Sequence, residues 1–286
     1  MTVVVYGSVN KDEIYQLPHY PGEHEKVIAG GFCNSLGGSA ANTSTWLAAY
    51  LADVEFLGAL GDDPEGEFCL DALRQAGVRT DGVAVCRGVP TGRAASWVAD
   101  GDKRIVIHRD PRLHRERAAE SELATAARAR HIHLASQVDG AGLECLAAAR
   151  LRGGASVSVE LSGRRHDAVR EHADLVFMNA EELRKLFDLL PSELLPETVP
   201  YIAPKPDATV VVTQGASAIH CATHTTTERF PVQPLETVVD RTGGGDSFDA
   251  GFLSAWLEQA PLSEAVARGQ ETSRLALSQI GAARRP

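Results

Sequence analysis

Short runs of β-branched and other apolar residues alternate along most of the chain with longer segments whose apolar residues recur three and four positions apart. This alternation predicts βαβ units around a mostly parallel sheet. The predicted strands are residues 3–6, 54–57, 132–135, 156–159, 175–178 and 209–213. The predicted helices are residues 39–51, 65–76, 142–151, 180–189, 247–257 and 262–280. About six or seven units can be counted, so we expect an α/β fold with a doubly wound sheet rather than an eightfold barrel.

Two segments interrupt this alternation. Residues 92–109 predict a β-hairpin, with strands at 94–99 and 104–107 and a turn at 100–102, which reads Asp-Gly-Asp. Residues from 12 to 36 lack helical periodicity and contain two prolines and several glycines. We expect segments 12–36 and 84–110 to form a small β-sheet lid lobe over the carboxyl ends of the core strands, where open sheets bind ligands. The lobe would be part of a single domain over residues 1–286.

Composition narrows the class of protein further. The chain has 28 Lys and Arg against 38 Asp and Glu, a net charge of -10, which argues against a nucleic-acid surface or an anionic-membrane binder. No apolar stretch approaches the ~20 residues of a membrane span. The 5 cysteines include no C-x-x-C pair, as expected of reduced thiols. We therefore predict a cytoplasmic protein that binds neither nucleic acid nor membrane.

The strongest local signal is the stretch 240–246, which reads Asp-Arg-Thr-Gly-Gly-Gly-Asp. It lies between the strand-like residues 236–239 and a helix predicted to begin near Ser247. Three glycines at such a junction let backbone N–H groups converge, and the helix start adds its positive dipole end, so the stretch predicts an anion site. The candidate donors are Gly243, Gly244 and Gly245. Asp246 would be held ionised, in reach of a hydroxyl near the bound anion, or would simply be a helix N-cap.

A second glycine stretch, Gly-Gly-Ser-Ala-Ala-Asn at 37–42, stands at the start of a predicted helix. Its small residues would let a polar ligand approach the backbone at Gly38, and Asn42 could fix that ligand by hydrogen bonds. The alternative is a tight turn in which Ser39 caps the helix and Asn42 is solvated.

A third motif opens the helix that follows the strand ending at Met178. Asn179 and Glu182 could hold hydrated Mg²⁺ near a phosphate, because Mg²⁺ takes few direct protein ligands. The alternative is that Glu181 and Glu182 only complement the helix dipole.

The three motifs, in this order, resemble the ribokinase-like, or PfkB-type, carbohydrate kinases, and the resemblance covers the whole chain. That family has Gly-Gly-x-x-x-Asn near the start, Asn-x-x-Glu in the middle and Asp-Thr-x-Gly-Ala-Gly-Asp near the end, matched here at 37–42, 179–182 and 240–246. The resemblance implies a ribokinase-like doubly wound, mostly parallel sheet with a small lid. It also implies an ATP-dependent kinase that phosphorylates a hydroxymethyl group of a small sugar, of furanose or ketose type. The alternatives are a nucleoside kinase of the same superfamily and a non-catalytic sugar- or nucleotide-binding regulator.

The resemblance also implies a role for each candidate residue. Asp246 is similar to the family's general base, and the three glycines before it are similar to the anion hole. The implied sugar contacts are Asp12, Gly38, Asn42 and Arg109, the last as in ketohexokinase-like members; a surface arginine is the alternative at that position. The implied nucleotide contacts are Thr213 and Gly215, and the implied magnesium residues are Asn179 and Glu182. ATP and Mg²⁺ are the implied cofactors, with a monovalent cation and a homodimer through the lid strands as further features of the family.

Some residues depart from the family pattern or mimic other motifs. Arg241 stands where the family has a small or hydroxylated residue, so it could contact a nucleotide phosphate or an acidic substrate group, or else face solvent beside an acid.

Residues 108–110, His-Arg-Asp, imitate a protein-kinase loop but lack its later Asn. The sequence contains no P-loop and no Gly-x-Gly-x-x-Gly after the first strand. His131 and His133 are expected to be core histidines rather than zinc ligands, because no third ligand lies nearby.

Overall fold

The computed structural model describes residues 2–99, 102–135, 138–162, 167–233, 235 and 237–283. Strands in these ranges are β1 (Val3–Gly7), β2 (Asn10–Gln16), β3 (Gly31–Gly37), β4 (Val54–Leu57), β5 (Ala59–Gly61), β6 (Ala84–Cys86), β7 (Arg93–Ala99), β8 (Asp102–His108), β9 (His131–Ala135), β10 (Ser156–Glu160), β11 (Leu175–Asn179), β12 (Thr209–Thr213), β13 (Ala218–Ala222) and β14 (Thr227–Pro231). Helices are α1 (Ser39–Leu47), α2 (Pro64–Gln75), α3 (Glu120–Ala126), α4 (Gly140–Gly153), α5 (Asp167–Arg170), α6 (Ala180–Phe187), α7 (Val199–Ile202), α8 (Gly244–Leu257) and α9 (Leu262–Leu277).

The main sheet has eight strands in the order β14-β13-β12-β11-β10-β9-β1-β4. The six strands of the predicted βαβ units all lie in it, and the pairs from β4 to β12 are parallel. At one edge, β13 pairs antiparallel with β12 and with β14. The strand order reverses between β1 and β9, which is where open α/β sheets bind ligands. The predicted doubly wound, mostly parallel α/β fold is confirmed.

Alternation along β1 explains how the sheet is covered on both faces. Val3 and Val5 point into one hydrophobic cluster, with residues of α1, α2, α8 and α9. Val4 and Tyr6 point into a second cluster, with residues of α3, α4 and α6. A strand buried on both faces reads as a continuous apolar run, which is why β1 is Val-Val-Val-Tyr-Gly. Among the described helices, none has the length and apolar character that crossing a bilayer requires.

A second sheet of four strands, which we call the small sheet, has the order β3-β2-β7-β8. The predicted hairpin is present in it, with β7 and β8 antiparallel from Arg93↔His108 to Ala99↔Asp102. Two residues of the predicted turn, Asp100 and Gly101, lie outside the described residues. Part of the segment expected in the lid differs, because β6 pairs with β5 in a separate two-stranded sheet.

The strand predicted at 236–239 was wrong. Glu236 lies outside the described residues, and residues 237–239 form no strand. The backbone N–H of Val239 donates to the carbonyl oxygen of Leu277, at the end of α9, instead of to a sheet neighbour. The following helix also begins earlier than Ser247, at Gly244, so that two glycines of the glycine-rich stretch belong to its first turn.

Candidate active site

Residues 241–246 contribute to two cavities. One cavity, of about 500 Å³, is lined by Thr213, Arg241, Gly244 and Gly245, and we call it the Thr213 cavity. The other, of about 580 Å³, is lined by Asp12, Lys103, Thr242 and Asp246, and we call it the Asp12 cavity. Gly244 and Gly245 line the Thr213 cavity and Asp246 lines the Asp12 cavity, so the start of α8 borders both cavities.

The buried carboxylate of Asp240 holds this stretch in place. One of its oxygens, Oδ1, accepts hydrogen bonds from the backbone N–H of Thr242 at 2.9 Å and from Thr242 Oγ1 at 2.5 Å. The other accepts from the backbone N–H of Gly281 at 3.0 Å, which ties the stretch to the chain beyond α9. The next residue, Gly243, has φ of 74°, and an added Cβ would lie 2.6 Å from the Cβ of Ala282. Only glycine fits there without strain.

The first turn of α8 offers the anion site that the sequence predicts. Gly243 is the N-cap and provides no side-chain hydrogen bond, so the first N–H groups of the helix lack that partner. These groups and the positive end of the helix dipole suit an anion. Asp246 is the third residue of the helix, so its alternative role as the N-cap is wrong.

The Asp246 carboxylate faces the start of α1. Its Oδ2 accepts a hydrogen bond of 2.7 Å from Asn42 Nδ2. Burial raises the pKa of Asp246 to about 6, although hydrogen bonds from Asn42 and Ser39 and the charge of Lys103 act to lower it. The group is therefore mainly ionised at pH 7 and yet more basic than an exposed aspartate, as a general base requires.

The start of α1 brings Asn42 to this position. Gly38 is the N-cap with φ of 95°, and an added Cβ would lie 2.5 Å from the carbonyl oxygen of Ser8. This glycine lets α1 begin directly against the end of β1. Asn42 is buried rather than solvated and Ser39 is not the cap, so the alternative given for this motif is wrong.

Asp12, on β2, is a second buried carboxylate of the Asp12 cavity. It accepts a short hydrogen bond from Asn10 Nδ2. Burial raises the pKa of Asp12 to about 6; Lys103 and Asn10 lower it, whereas the charges of Asp240 and Asp246 raise it further. The charge of Asp246 thus acts on Asp12, which lines the same cavity.

Arg109, just beyond β8, also lines the Asp12 cavity. Burial lowers the pKa of its guanidinium, although the charge of Asp139 acts to raise it. An arginine keeps its proton in a protein, so the cation stays in a place where its charge is poorly compensated. The side chain is half-buried in the cavity wall, which differs from the surface arginine given as the alternative.

The Thr213 cavity brings together the three residues expected at a nucleotide site: Thr213, Gly215 and Arg241. Its apolar wall includes Ile219, on β13, and Phe248, on α8. Gly215 has φ of 54°, which lets the chain turn between β12 and β13. The cavity thus combines a tight turn, an apolar wall and a cation beside the helix start.

Asn179 and Glu182 line neither cavity. They form a capping box on α6, in which Asn179 Oδ1 accepts from the N–H of Glu182 at 2.9 Å and Glu182 Oε2 accepts from the N–H of Asn179 at 3.0 Å. Both residues therefore cap the start of α6, which is compatible with either role given for this motif. Burial raises the pKa of Glu182, and burial with the charges of Glu160, Asp246 and Glu182 raises that of Asp249.

This donor set fits a hydrated magnesium ion better than a closed protein cage. In the part of the chain that is described, no group of three or more His, Cys, Asp or Glu could hold a metal. The carboxylates of Glu182 and Asp249 are nevertheless poorly compensated, and a cation beside them would relieve that. Mg²⁺ keeps most of its waters and needs only one or two carboxylates beside a phosphate.

Lys103 and Thr242 are among the residues of the Asp12 cavity to which the sequence alone assigned no role. Lys103 Nζ donates a hydrogen bond of 2.7 Å to Thr242 Oγ1 across 139 residues. Thr242 was visible within the glycine-rich motif. Lys103 carried no motif, and only the packing of the small sheet on the core brings it there.

The two histidines of β9 are core residues, as predicted. His131 bonds Ser156 Oγ and Ser158 Oγ, and His133 Nδ1 bonds Ser158 Oγ, at 2.7 to 2.8 Å. Burial lowers the pKa of both rings, so they are neutral at physiological pH.

Two cavities that border one glycine-rich helix start, with a basic carboxylate in that first turn, are features of a phosphotransferase that acts on an alcohol group. The family model described as pfkB family carbohydrate kinase matches residues 1–286. The chain belongs to this family, and the resemblance inferred from the motifs is confirmed.

Individual relatives match along nearly the whole chain. The sequence is 27% identical over 291 positions to an ATP-dependent ribose-1-phosphate kinase of Halopiger xanaduensis, covering 99% of this chain and 94% of the relative. The fold is similar to that of Arabidopsis thaliana ribokinase complexed with ribose and ATP, with a TM-score of 0.85, 24% identity and coverage of 98% and 94%. It is also similar to that of Cryptococcus neoformans ribokinase in complex with ADP, with a TM-score of 0.75, 26% identity and coverage of 98% and 95%.

The raised pKa of Asp246 predicts a stability effect that needs no substrate. The folded chain binds this proton more tightly than the unfolded chain, so Asp246 reduces stability as pH rises from about 4 to 6 and keeps that effect above 6. We expect Asp246→Asn to raise the free energy of unfolding at pH 8 by about 1–2 kcal/mol and to change it little at pH 4. Thermal or urea unfolding at both pH values measures this.

Asp63→Asn is the matched control, for which the change in the free energy of unfolding should have the opposite sign. Despite its partial burial, the pKa of Asp63 is lowered by hydrogen bonds from Thr91 and Gly66, so its carboxylate stabilises the fold. That variant should lose stability at pH 8. A loss of similar size in Asp246→Asn would contradict the account of Asp246 as a poorly compensated charge.

Proposed function

We propose that the protein is an ATP-dependent kinase that transfers the γ-phosphoryl group to a hydroxymethyl group of a small sugar, of furanose or ketose type. The observation that carries the proposal is the position of Asp246, which lines the Asp12 cavity from a helix turn whose glycines line the Thr213 cavity. A sugar in the Asp12 cavity and ATP in the Thr213 cavity would meet at this turn. The names of the relatives, ribokinase and ribose-1-phosphate kinase, favour a ribofuranose.

In this mechanism Asp246 is the general base. A carboxylate oxygen takes the proton of the acceptor hydroxyl as that hydroxyl oxygen forms a bond to the γ-phosphorus. The bond from the γ-phosphorus to the β,γ-bridging oxygen breaks, and its electron pair leaves with ADP. Asn42 orients the base through its 2.7 Å hydrogen bond. The N–H groups at the start of α8, from Gly243, Gly244 and Gly245 onward, stabilise charge on the phosphoryl oxygens.

Mg²⁺ bound with ATP would neutralise charge on the phosphate oxygens. Asn179 and Glu182 are the residues that would hold it, through water, because Glu182 carries a poorly compensated carboxylate. A requirement for a monovalent cation stays a prediction of the resemblance alone.

On the acceptor side, Asp12, Gly38 and Asn42 would bind sugar hydroxyls, since two carry hydrogen-bonding side chains and one lets the ligand approach the backbone. Arg109 favours one alternative acceptor in particular, a sugar phosphate. Its cation is poorly compensated in the cavity wall, and a phosphate on the acceptor would compensate it. On the donor side, Thr213 and Gly215 would contact the nucleoside, and Arg241 a nucleotide phosphate.

The activity is tested by ADP release from ATP with Mg²⁺ across ribose, fructose, ribose 1-phosphate and adenosine. We expect turnover on a furanose acceptor, with Asp246→Asn reducing kcat by about 10²–10⁴-fold while ATP still binds. In the wild type, kcat/KM should fall as pH drops below about 6, because the base is then protonated. Turnover on adenosine alone would favour the nucleoside kinase, and an active Asp246→Asn would contradict the assigned base.

Two arginine variants separate the proposed sites. We expect Arg109→Ala to raise KM for the acceptor about 10-fold or more with little change in KM for ATP, because Arg109 lines the Asp12 cavity and not the Thr213 cavity. Arg241→Thr, which places a hydroxylated residue there as in the family, should raise KM for ATP instead, because Arg241 lines the Thr213 cavity and not the Asp12 cavity. Initial-rate kinetics with each substrate varied gives both constants. The reverse assignment, or no change in either constant, would contradict the two sites.

We also propose a homodimer through the small sheet. Phe32 is 54% exposed and Val106 is 66% exposed, and the strand registers put them on one face together with Trp97, opposite the Asp12 cavity. A second copy of the chain would cover this face. We expect a dimeric mass in solution and a monomeric one for Val106→Lys, whereas Leu151→Lys, at an exposed apolar residue of α4, should stay dimeric. A monomeric wild type, measured by light scattering, would contradict the dimer.

A further inference from the structure

Lys103 projects from the small sheet toward the glycine-rich stretch of the core. It is the second residue of β8, and its Nζ lies 2.7 Å from Thr242 Oγ1, immediately before the three glycines. Ile105 and Ile107, two and four residues further along β8, also line the Asp12 cavity. Side chains alternate along a strand, so this face of β8 covers the cavity and Arg104 points to the other face.

The lysine is held in a defined orientation. Thr242 Oγ1 donates its own proton to Asp240 Oδ1 at 2.5 Å, so it can only accept from Lys103. Asp240 is buried and is fixed in turn by the N–H of Gly281. One of the three N–H groups of the ammonium is used in this contact. The contact fixes the ammonium beside the loop that would carry the transferring phosphoryl group.

The charge of Lys103 acts on both carboxylates of the cavity. It lowers the pKa of Asp12 and that of Asp246, against the burial that raises them. Among the described residues that line the Asp12 cavity, the lysine is Lys103 and the arginine is Arg109. Lys103 lies on β8 of the small sheet and Arg109 directly follows β8, whereas Asp246 lies on α8 of the core.

We propose that Lys103 is a catalytic residue whose ammonium binds the transferring phosphoryl group in the transition state. This rests on the proposed function. As the acceptor oxygen bonds to the γ-phosphorus and the bond to the bridging oxygen of ADP breaks, negative charge is spread over the three remaining phosphoryl oxygens. Lys103 donates to one of these oxygens, and the proton taken by Asp246 stays on that carboxylate. Because the lysine belongs to the small sheet, this stabilisation is available only while that sheet covers the core.

Lys103→Met tests the role, because it removes the charge and keeps the length of the side chain. We expect kcat to fall about 10²–10³-fold while KM for acceptor and for ATP changes less than about 3-fold, as for loss of a group that acts in the transition state. Binding of ADP with aluminium fluoride and the acceptor, which together imitate the transition state, should weaken by a similar factor, while ADP alone binds unchanged. The acid limb of kcat/KM should also move to higher pH, since Asp246 loses a neighbouring cation.

Arg104→Met is the matched control. Arg104 is the next residue of the same strand, carries the same charge and stacks on the ring of Tyr20 at 4.0 Å, on the face away from the cavity. It should keep kcat within about 2-fold, and the conservative Lys103→Arg should restore part of the loss.

The outcomes separate this inference from the proposed function. A wild type that phosphorylates no sugar or sugar phosphate would overturn the proposed function and this role with it. An active wild type whose Lys103→Met variant keeps its kcat, or whose only change is a higher KM for the acceptor, would overturn the role of Lys103 alone. A fall in kcat that Arg104→Met shares would also overturn it, because the effect would then be one of general charge.

Discussion

The hydrogen bonds of the Asp240 carboxylate are the constraint on which the rest of the site depends. They join the chain after α9 to the stretch that begins α8, and they leave the Thr242 hydroxyl oxygen to accept a hydrogen bond from Lys103. One buried acid thus fixes the helix start that connects the two cavities and gives the small sheet a polar anchor on the core. If this carboxylate were lost, Thr242 and Gly281 would each lose a partner inside the protein, which is costly for buried groups.

The same site carries charges that the fold compensates only in part. Burial raises the pKa of Asp12 and of Asp246 to about 6, and burial lowers that of Arg109. Ligands with hydroxyl groups and phosphates are what such groups bind, so a bound substrate would compensate these charges. In the proposed mechanism, stability and function therefore oppose each other at Asp246, as is common where a catalytic group must be desolvated.

Much of the fold and of the glycine-rich site could be predicted from sequence, because the residues that determine them are neighbours in the sequence. A strand buried on both faces is a continuous apolar run, and the motif at 240–246 combines glycines with a helix start, so both were found. The predictions that failed concern contacts between residues far apart in the sequence. The sequence at 236–239 has a strand-like pattern, but the edge of the sheet is occupied by β14, and the N–H of Val239 donates to Leu277 at the end of α9 instead. Lys103 escaped notice because its partner is 139 residues away.

We propose that the acceptor and the nucleotide lie on opposite sides of the turn that carries Asp246. A crystal structure of the protein with ADP and ribose, or with the acceptor that the kinetic panel selects, tests this arrangement directly. We expect the acceptor hydroxymethyl oxygen within hydrogen-bond distance of the Asp246 carboxylate, and the β-phosphate of ADP on the side of Gly244 and Gly245. An acceptor whose hydroxymethyl group points away from Asp246, or both ligands in one cavity, would contradict it.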